Sequence, residues 1–406
     1  MYHTRFLKVP FTGASIKTNG KNAKRQLSGS PTIDDSVIIS SKIVLTTELG
    51  ENFFYGAIPV CAEILFISPE VSRKRKRVEL VRVGQRTVVG KVISEWRNGM
   101  RALQLDVQIP RVKAEEILRN KAHLCERVYA VSAEAVDECP LLYDSKGDPL
   151  RLAHMEIESL PFRLIYDVSL GLKRKAAIAV EFDEDNSLYV RREVDMGAYG
   201  QLDLVEEIGD SMAKHLWDSG IFLCDYLKKS RANRQEFVSQ LTDDPDQKLN
   251  ILELGCGCGT VGLALGKIFK NSRVLLTDLE SAKEVAEKNI LLNKRNKDQE
   301  IEYIPFDWDI SQNSELQNAT AFDTTTWDIV VACDCTYNSD SFDILTDILD
   351  KLMVSNNKLL LVHKERHGSE NKVFEMLEKK NGLRVRWRRA LQPEAAKARV
   401  DILALT

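Results

Sequence analysis

The sequence of 406 residues lacks a long apolar run, and its start lacks an apolar leader segment. A membrane-spanning helix needs roughly 20 apolar residues, and no uninterrupted stretch approaches that length. The first residues, MYHTRFLKVPFTGASIKTNGKNAKRQ, contain no apolar core of the kind that a secretory signal has. The sequence therefore predicts a protein of the cytosol or nucleus that has no membrane partner.

A strong net charge is also missing. The formal net charge is −3, from 57 Lys and Arg against 60 Asp and Glu. This balance excludes a general affinity for polyanions, so nucleic acid is not an expected partner. The local exception is the run Arg73–Arg77, five consecutive cations between two predicted strands. The run fits a solvated loop tip, and it also fits a nuclear import signal, so the expected localisation is cytoplasmic with nuclear entry open through this run.

Cysteine is sparse. The eight cysteines are too few for a disulfide framework, and a reducing compartment would keep them as thiols. Two Cys-x-Cys pairs, Cys256/Cys258 and Cys333/Cys335, are spaced too closely for the usual zinc ligands, so no metal site is expected. Because each pair ends a predicted strand, the pairs are expected to lie near each other and to be sensitive to oxidation at most.

What the chain does contain divides it into domains, because its length exceeds that of one ordinary domain. Residues 1–32 have no Asp or Glu and are rich in Lys, Arg, Ser and Thr, which is typical of a disordered tail or, alternatively, of a mitochondrial transit peptide. Residues 33–199 are predicted to form a β-rich accessory domain. Residues 200–406 are predicted to form a second domain of another type.

The accessory domain is predicted from β-branched segments. The segments SVIISSKIVLTT, RTVVGKVISEWR and ALQLDVQI indicate strands, and VKAEEILRNKAHL behind Pro110 has apolar residues at helical spacing. No active-site motif occurs in this half. The accessory domain is therefore expected either to help select a substrate or only to stabilise the fold.

The second half alternates between two periodicities. From Asp203 onward, LDLVEEIGDSMAKHLWDSGIFLCDYLKKS predicts an amphipathic helical stretch. Strands are then predicted at NILELGC, RVLLTD, IEYIPFD, WDIVVACD, KLLLVHKE, LRVRWRRAL and VDILALT, and helices at SAKEVAEKNILLNK and FDILTDILDKLM. Strands alternating with helices are typical of an α/β domain whose parallel sheet is covered on both faces.

A glycine-rich turn stands between the first of these strands and a helix. It reads Glu253-Leu-Gly255-Cys-Gly257-Cys-Gly259-Thr260, and glycines there let a ligand approach the backbone and the free N–H groups of the helix. The dinucleotide fingerprint requires a glycine at the position of Thr260. The pattern therefore favours a nucleoside over a dinucleotide, with Glu253, Gly255, Gly257 and Gly259 as candidate binding residues.

Asp278 ends the second strand of this domain. A carboxylate at the carboxyl end of a parallel strand can accept hydrogen bonds from both ribose hydroxyls of a nucleoside. The alternative is that Asp278 only caps the helix that follows.

These motifs in order, E-L-G-x-G-x-G, then Thr277-Asp278, then N-I-x-x-N at 289–293, resemble the seven-strand methyltransferases. More narrowly, the chain resembles the family-16 protein methyltransferases, the group that contains methyltransferase-like protein 22 and the fungal elongation-factor lysine methyltransferases. The resemblance covers residues 200–406. It implies a Rossmann-like seven-strand sheet, S-adenosylmethionine as cofactor, and methyl transfer to a side-chain nitrogen, lysine above all, of a protein.

The resemblance also implies roles for residues outside the glycine turn. Trp217 matches a tryptophan that helps close over the cofactor, and Asp307-Trp308 matches an acidic-tryptophan pair that contacts the adenine. A carboxylate can accept from the adenine amine and an indole can pack on the ring, although Trp308 also fits a core position. Cys333, at the end of the fourth strand, is expected beside the cofactor.

The motif Asp334-Cys335-Thr336-Tyr337 matches the D-x-x-Y that this family carries at its catalytic face. The resemblance implies that Asp334 orients the acceptor nitrogen and that Tyr337 walls the channel or supplies a hydroxyl. The alternative is that Asp334 caps a turn and Tyr337 is core. Cys335 and Thr336 replace the prolines that nucleic-acid and glutamine amino-methyltransferases show here, which lowers the case for base methylation.

Other readings of the acceptor stay open, because one fold serves many substrates. They are histidine, a nucleic acid, a small molecule, and a non-catalytic cofactor-binding scaffold. The expected partner is a protein substrate such as a translation factor or nuclear protein, and the chain is expected to be a monomer. Charged residues at 364–367 fit either a surface that faces this substrate or a solvated loop.

Overall fold

The structure, a computed structural model, describes part of the chain. The described residues are 3–11, 36–46, 58–67, 86–97, 100–130, 157–159, 162–167, 177–182, 189–207, 212–294, 300–308, 326–336, 338–353, 357–365, 372–391 and 399–405. The chain divides into two compact units, Met1–Arg192 and Glu193–Thr406. The sequence predicted a boundary between residues 199 and 200. The predicted sites at Arg73–Arg77, Tyr337, Arg366 and His367 lie outside the described residues.

The first unit is built mainly from antiparallel strands. Its described elements are β1 (His3–Phe11), β2 (Ser36–Thr46), β3 (Ile58–Ile67), β4 (Arg86–Trp96), β5 (Leu103–Pro110), α1 (Arg111–Asn120), β6 (His123–Ala130), β7 (Ile157–Ser159), β8 (Phe162–Asp167), β9 (Ala177–Phe182) and β10 (Tyr189–Asp195), whose last residues belong to the second unit. Among these residues, one sheet has the order β1-β2-β5, and another has the order β10-β7-β6-β3-β4, with β8 beside β6 and β9 beside β8.

The predicted strands and helix of the first unit reflect the spacing of their apolar residues. In β5, the four apolar residues from Leu103 to Ile109 are buried and the polar residues between them are exposed. A strand that buries one face must alternate in this way. Pro110 then precedes α1 as its N-cap residue, and α1 buries Ala114 and Ile117.

The structure differs from the expectation of a disordered tail at residues 3–11, which form β1. This strand pairs antiparallel with β2, from His3 opposite Thr46 to Phe11 opposite Ser40. The expectation of a disordered tail rested on the lack of acidic residues. The segment HTRFLKVPF, however, also contains Phe6, Val9 and Phe11, which favour strands. Pairing with a strand far along the chain cannot be read from composition.

The second unit is an α/β domain, which confirms the predicted class. Its described elements are β11 (Gln201–Glu207), α2 (Asp218–Lys229), α3 (Arg231–Leu241), β12 (Leu249–Leu254), α4 (Thr260–Ile268), β13 (Ser272–Asp278), α5 (Lys283–Asn293), β14 (Glu300–Pro305), β15 (Ile329–Cys333), α6 (Phe342–Leu352), β16 (Lys358–Glu365), α7 (Lys372–Asn381), β17 (Val385–Leu391) and β18 (Arg399–Leu405). Within the described residues, seven strands form one sheet in the order β14-β13-β12-β15-β16-β18-β17.

The strand order predicts a ligand site at the carboxyl ends of the central parallel strands. Strands β12 to β16 run parallel, and β18 lies antiparallel to β16. The chain proceeds from β12 to β13 on one side, and β15 lies on the other side of β12. A crevice outside the carboxyl ends of strands at such a switch point is where open α/β sheets bind ligands.

The predicted helical stretch from Asp203 is wrong at its start, because residues 201–207 form β11. The backbone N–H and C=O of Val205 bond the side chain of Asn289, and those of Asp203 bond the side chain of Asn293. Two asparagines of α5 thus satisfy the backbone of a strand as a neighbouring strand would. The segment that follows does become helical, as α2.

The described residues contain no helix long and apolar enough to cross a membrane. They also contain no group of three or more His, Cys, Asp or Glu side chains placed to hold a metal ion. The cysteines within the described ranges are free thiols.

Candidate active site

The glycine turn after β12 has a backbone that glycine alone adopts readily. Gly255, Gly257 and Gly259 have φ angles of 61°, 53° and 77°, all in the left-handed region. The N–H of Gly259 donates to the carbonyl of Cys256 at 2.7 Å, which closes the turn. Thr260 then begins α4, so the first N–H groups of that helix open toward the turn.

Neighbouring atoms lie so close to the turn that a side chain at Gly255 or Gly257 would require them to shift. A Cβ on Gly255 would lie 3.0 Å from the Sγ of Cys335 and 3.1 Å from the Cζ2 of Trp308. A Cβ on Gly257 would lie 3.2 Å from the carbonyl oxygen of Ala213. Trp308 therefore packs directly against the glycine turn.

Glu253 lies beneath the turn. Its side chain is 1% exposed, and its Oε2 accepts the N–H of Gly262 at 2.8 Å, which fastens α4 to β12. Burial raises the pKa of this carboxyl to about 8, against the hydrogen bond from Gly262, which lowers it. Glu253 thus supports the backbone of the turn, and its direct contact with a cofactor stays a prediction.

Asp278 joins the end of β13 to the glycine turn. One carboxylate oxygen accepts the N–H of Gly257 and the other accepts the N–H of Leu279, each at 2.7 Å. Burial raises the pKa of Asp278, while these two hydrogen bonds lower it. The N–H of Cys256 also donates to the carbonyl of Thr277 at 2.9 Å. The strand end and the turn are therefore one rigid cradle with a carboxylate at its rim.

The other predicted cofactor residues lie on elements that end at the same edge. Asp307 and Trp308 follow β14 and are half-buried, and Trp308 packs against the apolar core beneath β12 and β15. Cys333 is the last residue of β15 and is also half-buried. Trp217 precedes α2 as its N-cap residue and is half-buried. The structure thus brings Trp308 to the glycine turn itself.

Asp334 has an unusual backbone for a residue with a side chain. Its φ angle is 53°, in the left-handed region, and its N–H donates to the carbonyl of Val362 on β16 at 2.9 Å. Its Oδ2 accepts the N–H of Ser219 at 3.0 Å, at the start of α2. Asp334 is 5% exposed. Because the N–H of Ser219 belongs to the first turn of α2, a helix N-terminus holds this buried carboxylate in place.

The charged end of β16 is not a solvated loop at Lys364. Its ammonium group lies 2.6 Å from the Oδ2 of Asp218, and both side chains are buried. The neighbouring His363 bonds the hydroxyl of Thr336 through Nδ1 at 2.5 Å. Lys364 therefore does not face a substrate surface.

The cysteines beside the turn are poor nucleophiles at neutral pH. Burial raises the pKa of the thiols of Cys256, Cys333 and Cys335 well above the ordinary range. Cys335 also donates to the carbonyl of Leu254 at 3.2 Å. Since the thiolate is the reactive form, oxidation at these positions is expected to be slow.

Sequence reasoning missed the roles of Asn289, Asp218 and Ser219. Asn289, fully buried, also donates to the carbonyl of Cys258 at 2.9 Å, so it connects the glycine turn to β11. Its motif was recognised, but the partner lies on a strand predicted as helix. Asp218 is a single charge beside the apolar run that follows it, but no local pattern pairs it with Lys364.

The cradle fits a nucleoside cofactor. The turn has no Cβ atoms at its three left-handed glycines, the indole of Trp308 lies against it, and the carboxylate of Asp278 stands at its rim. An aromatic face and a carboxylate are the groups that a purine ring and a ribose diol require.

Known proteins resemble this part of the chain. Residues 198–380 match the model of a family described as lysine methyltransferase. A UPF0665 family protein of Schizosaccharomyces pombe is 34% identical over 173 residues, which are 41% of this chain and 46% of that protein. The protein-lysine N-methyltransferase EFM6 of Saccharomyces cerevisiae is 25% identical over 186 residues, 44% of this chain and 74% of that protein. The chain thus matches less than half the length of the first relative.

Solved structures are more distant. The arsenic(III) S-adenosylmethionine methyltransferase of Chlamydomonas reinhardtii is 15% identical with a TM-score of 0.29, over 45% of this chain and 72% of that chain. Such a likeness bears on neither reaction nor substrate. The family match does confirm S-adenosylmethionine as the cofactor. Residues 198–380 carry the pattern of the lysine methyltransferase family, as their motifs predicted.

Proposed function

We propose that this protein transfers a methyl group from S-adenosylmethionine to the side-chain nitrogen of a lysine in another protein. The carrying observation is the position of two carboxylates, Asp278 as the last residue of β13 and Asp334 directly after β15, on either side of the glycine turn that follows β12. The family description and the relative named for protein-lysine methylation support the acceptor.

The residues of the cradle would bind the cofactor. Asp278 would accept hydrogen bonds from the ribose hydroxyls, and the glycine turn would let the cofactor approach the backbone. Trp308 would pack on the adenine ring, and Asp307 would accept a hydrogen bond from the adenine amine. When bound, S-adenosylmethionine would supply an electrophilic methyl group: the lone pair of the acceptor amine would attack the methyl carbon as the carbon–sulfur bond breaks, S-adenosylhomocysteine would leave, and the methylated ammonium would release a proton to water. The protein needs to orient the amine in line with the methyl group and to exclude water.

Asp334 would orient the acceptor. Its carboxylate is fixed by the N–H of Ser219, and a carboxylate has further lone pairs with which to accept an N–H of the incoming amine. Burial in the site and the nearby positive sulfur would both lower the pKa of the acceptor lysine, so it would arrive as the neutral amine without a strong base. Tyr337, outside the described residues, would wall the channel.

The remaining parts of the proposal concern the cellular setting. The protein would act in the cytoplasm and would enter the nucleus through Arg73–Arg77. Fusion of the protein to a fluorescent reporter tests this entry. The substrate would be a translation factor or a nuclear protein, and the first unit would help to select it. The enzyme would act as a monomer.

The proposal is tested by label transfer. Wild-type protein is incubated with tritiated S-adenosylmethionine and cell extract, beside Asp334→Asn and the control Asp243→Asn, whose exposed carboxylate lies before β12. We expect a protease-sensitive, nuclease-resistant labelled band for wild type and Asp243→Asn, and loss of the band for Asp334→Asn. Label in nuclease-sensitive or small-molecule material would move the acceptor, and no label with intact cofactor binding would leave a scaffold.

A further inference from the structure

A buried ion pair stands behind the proposed catalytic edge. Asp218 is the first residue of α2 and is fully buried, and Lys364 lies near the end of β16 with its side chain 9% exposed. Their charged atoms are 2.6 Å apart, although the residues are 146 positions apart in sequence. Removing two charges from water costs free energy that their mutual attraction often does not recover. A buried ion pair is therefore weak evidence of a purely stabilising role.

The same helix end binds Asp334. The first N–H groups of a helix have no acceptor within it, and the N-cap residue Trp217 makes no side-chain cap to α2. Asp334 supplies one from another strand, through the 3.0 Å bond from Ser219 to its Oδ2. Ser219 directly follows Asp218, so a shift of the first turn of α2 would move both bonds together.

The loop after β15 is held from its other side by β16. The N–H of Asp334 donates to the carbonyl of Val362, and Thr336 bonds His363. Lys364 is the next residue of β16. The end of β16 therefore fixes the backbone of Asp334 through Val362 and the helix that holds its side chain through Lys364.

We propose that Asp218 and Lys364 are positioning residues that clamp the first turn of α2 to β16, so that the N–H of Ser219 holds the carboxylate of Asp334 at the acceptor site. This inference rests on the proposed function. The geometry carries it because the bond from Ser219 and the ion pair of Asp218 lie on adjacent residues in the first turn of α2, and because the end of β16 supplies the partner of Asp218.

Two variants and a control separate the clamp from general stability. Lys364→Met keeps an unbranched side chain that is one atom shorter and removes the charge, which leaves Asp218 buried without its cation. Lys358→Met makes the same change at the other end of β16, away from the site. Lys364→Arg keeps the charge. If Lys364→Met does not fold, the double variant Asp218→Leu with Lys364→Met is used in its place. It removes both charges, and a protein in which apolar residues replace a buried ion pair is often as stable as the original.

The first readout does not depend on activity. Hydrogen exchange of the Ser219 amide, resolved by NMR, reports whether Asp334 still accepts it. We expect exchange to accelerate by about tenfold in Lys364→Met, through local opening of the helix end, and to stay unchanged in Lys358→Met and Lys364→Arg. Unchanged protection in Lys364→Met would overturn the clamp even if the protein has no methyltransferase activity.

The second readout tests whether the clamp acts through Asp334. With saturating tritiated S-adenosylmethionine and a fixed amount of extract, we expect Lys364→Met to slow label transfer by about tenfold to a hundredfold, because misplacement by about 1 Å has effects of that size. Its cofactor Kd by calorimetry should match wild type. Wild-type transfer in Lys364→Met, or a slowing of equal size in Lys358→Met, would contradict the assignment.

Discussion

The carboxylate of Asp278 accepts the backbone N–H of Gly257 at 2.7 Å, across the edge of the sheet between β13 and the glycine turn. This bond orients the side chain that is proposed to hold the ribose before any ligand arrives. A site whose acceptor is already fixed loses less conformational freedom on binding than one whose side chain must be ordered.

Asp278 makes cofactor affinity dependent on pH. Its pKa is raised by burial, and the ionised form is the one that accepts both ribose hydroxyls. As the pH falls through this raised pKa, protonation removes an acceptor, so binding should weaken at a higher pH than for an ordinary aspartate. Calorimetric titration with S-adenosylmethionine across the acidic range measures this dependence.

The substitution Asp278→Asn provides the comparison for that titration. Hydrogen bonds to a charged group contribute about 1.5–3 kcal/mol, so the Kd should rise by about 10- to 100-fold and lose its acid limb. Asp243→Asn should keep both the affinity and the limb. An unaltered Kd in Asp278→Asn would show that the ribose lies elsewhere.

Gly255→Ala should abolish cofactor binding and destabilise the second unit. The added Cβ meets the Sγ of Cys335 and the ring of Trp308, and the φ angle of 61° is unfavourable for alanine. Overpacking and left-handed strain together predict a loss of about 2–4 kcal/mol in the free energy of unfolding.

The chain offers a matched control for this substitution at Gly382. Its φ angle is 65°, and a Cβ there would have nothing within 4 Å. Gly382→Ala should therefore cost only the strain, about 1–2 kcal/mol, and leave cofactor binding intact. Equal losses in urea unfolding for the two variants would mean that Trp308 and Cys335 do not constrain the turn.

Glu253 should make the protein less stable as the pH rises. Its pKa is about 8 in the folded protein and about 4.5 in the unfolded chain, so between these values the folded state binds the extra proton. The stabilisation is complete below the unfolded pKa and is lost as the pH rises through the folded pKa, with a slope of up to about 1.4 kcal/mol per pH unit.

Urea unfolding between pH 5 and pH 9, roughly the window of this titration, measures the effect. Glu253→Gln keeps an oxygen for the N–H of Gly262 and has no proton to lose, so its stability should depend less on pH than that of wild type. Glu287→Gln, an exposed position on α5, should retain the wild-type slope. A wild-type slope in Glu253→Gln would contradict a neutral Glu253.

Asn289→Ala should be strongly destabilising. It removes the partners of the N–H and C=O of Val205 and of the carbonyl of Cys258, all at a fully buried position. Unsatisfied buried groups cost about 1–3 kcal/mol each, and partial relaxation predicts a total of about 3 kcal/mol. Asn271→Ala, at an exposed position, should change the free energy of unfolding by about 0.5 kcal/mol or less. Comparable values in urea unfolding would remove Asn289 from the support of the turn.

Local patterns were sufficient for the parallel strands, the glycine turn and the position of Asp278. Each depends on residues close in sequence: an apolar run, glycines at the strand end, and a carboxylate where the next strand stops. The strand β11 was missed because the apolar spacing in LDLVEE fits a helix as well as a strand, and because the α5 side chains that bond its backbone lie far along the chain.

The supports of the site could not be predicted for a similar reason. Asp218 and Lys364 are separated by 146 positions, and no local pattern pairs them. The left-handed backbone of Asp334 depends on β16 and α2 together. Sequence motifs therefore indicated which residues meet the ligand, while the residues that hold them in place required the fold.

The most direct test of the proposed activity is the chemical identity of the residue that receives the methyl group. The labelled acceptor from cell extract is purified, digested and sequenced by mass spectrometry after reaction with deuterated S-adenosylmethionine. The account predicts deuterated methyl groups on a lysine side chain with wild-type protein and none with Asp334→Asn. Methyl groups on histidine, on nucleic acid or on a small molecule would contradict it.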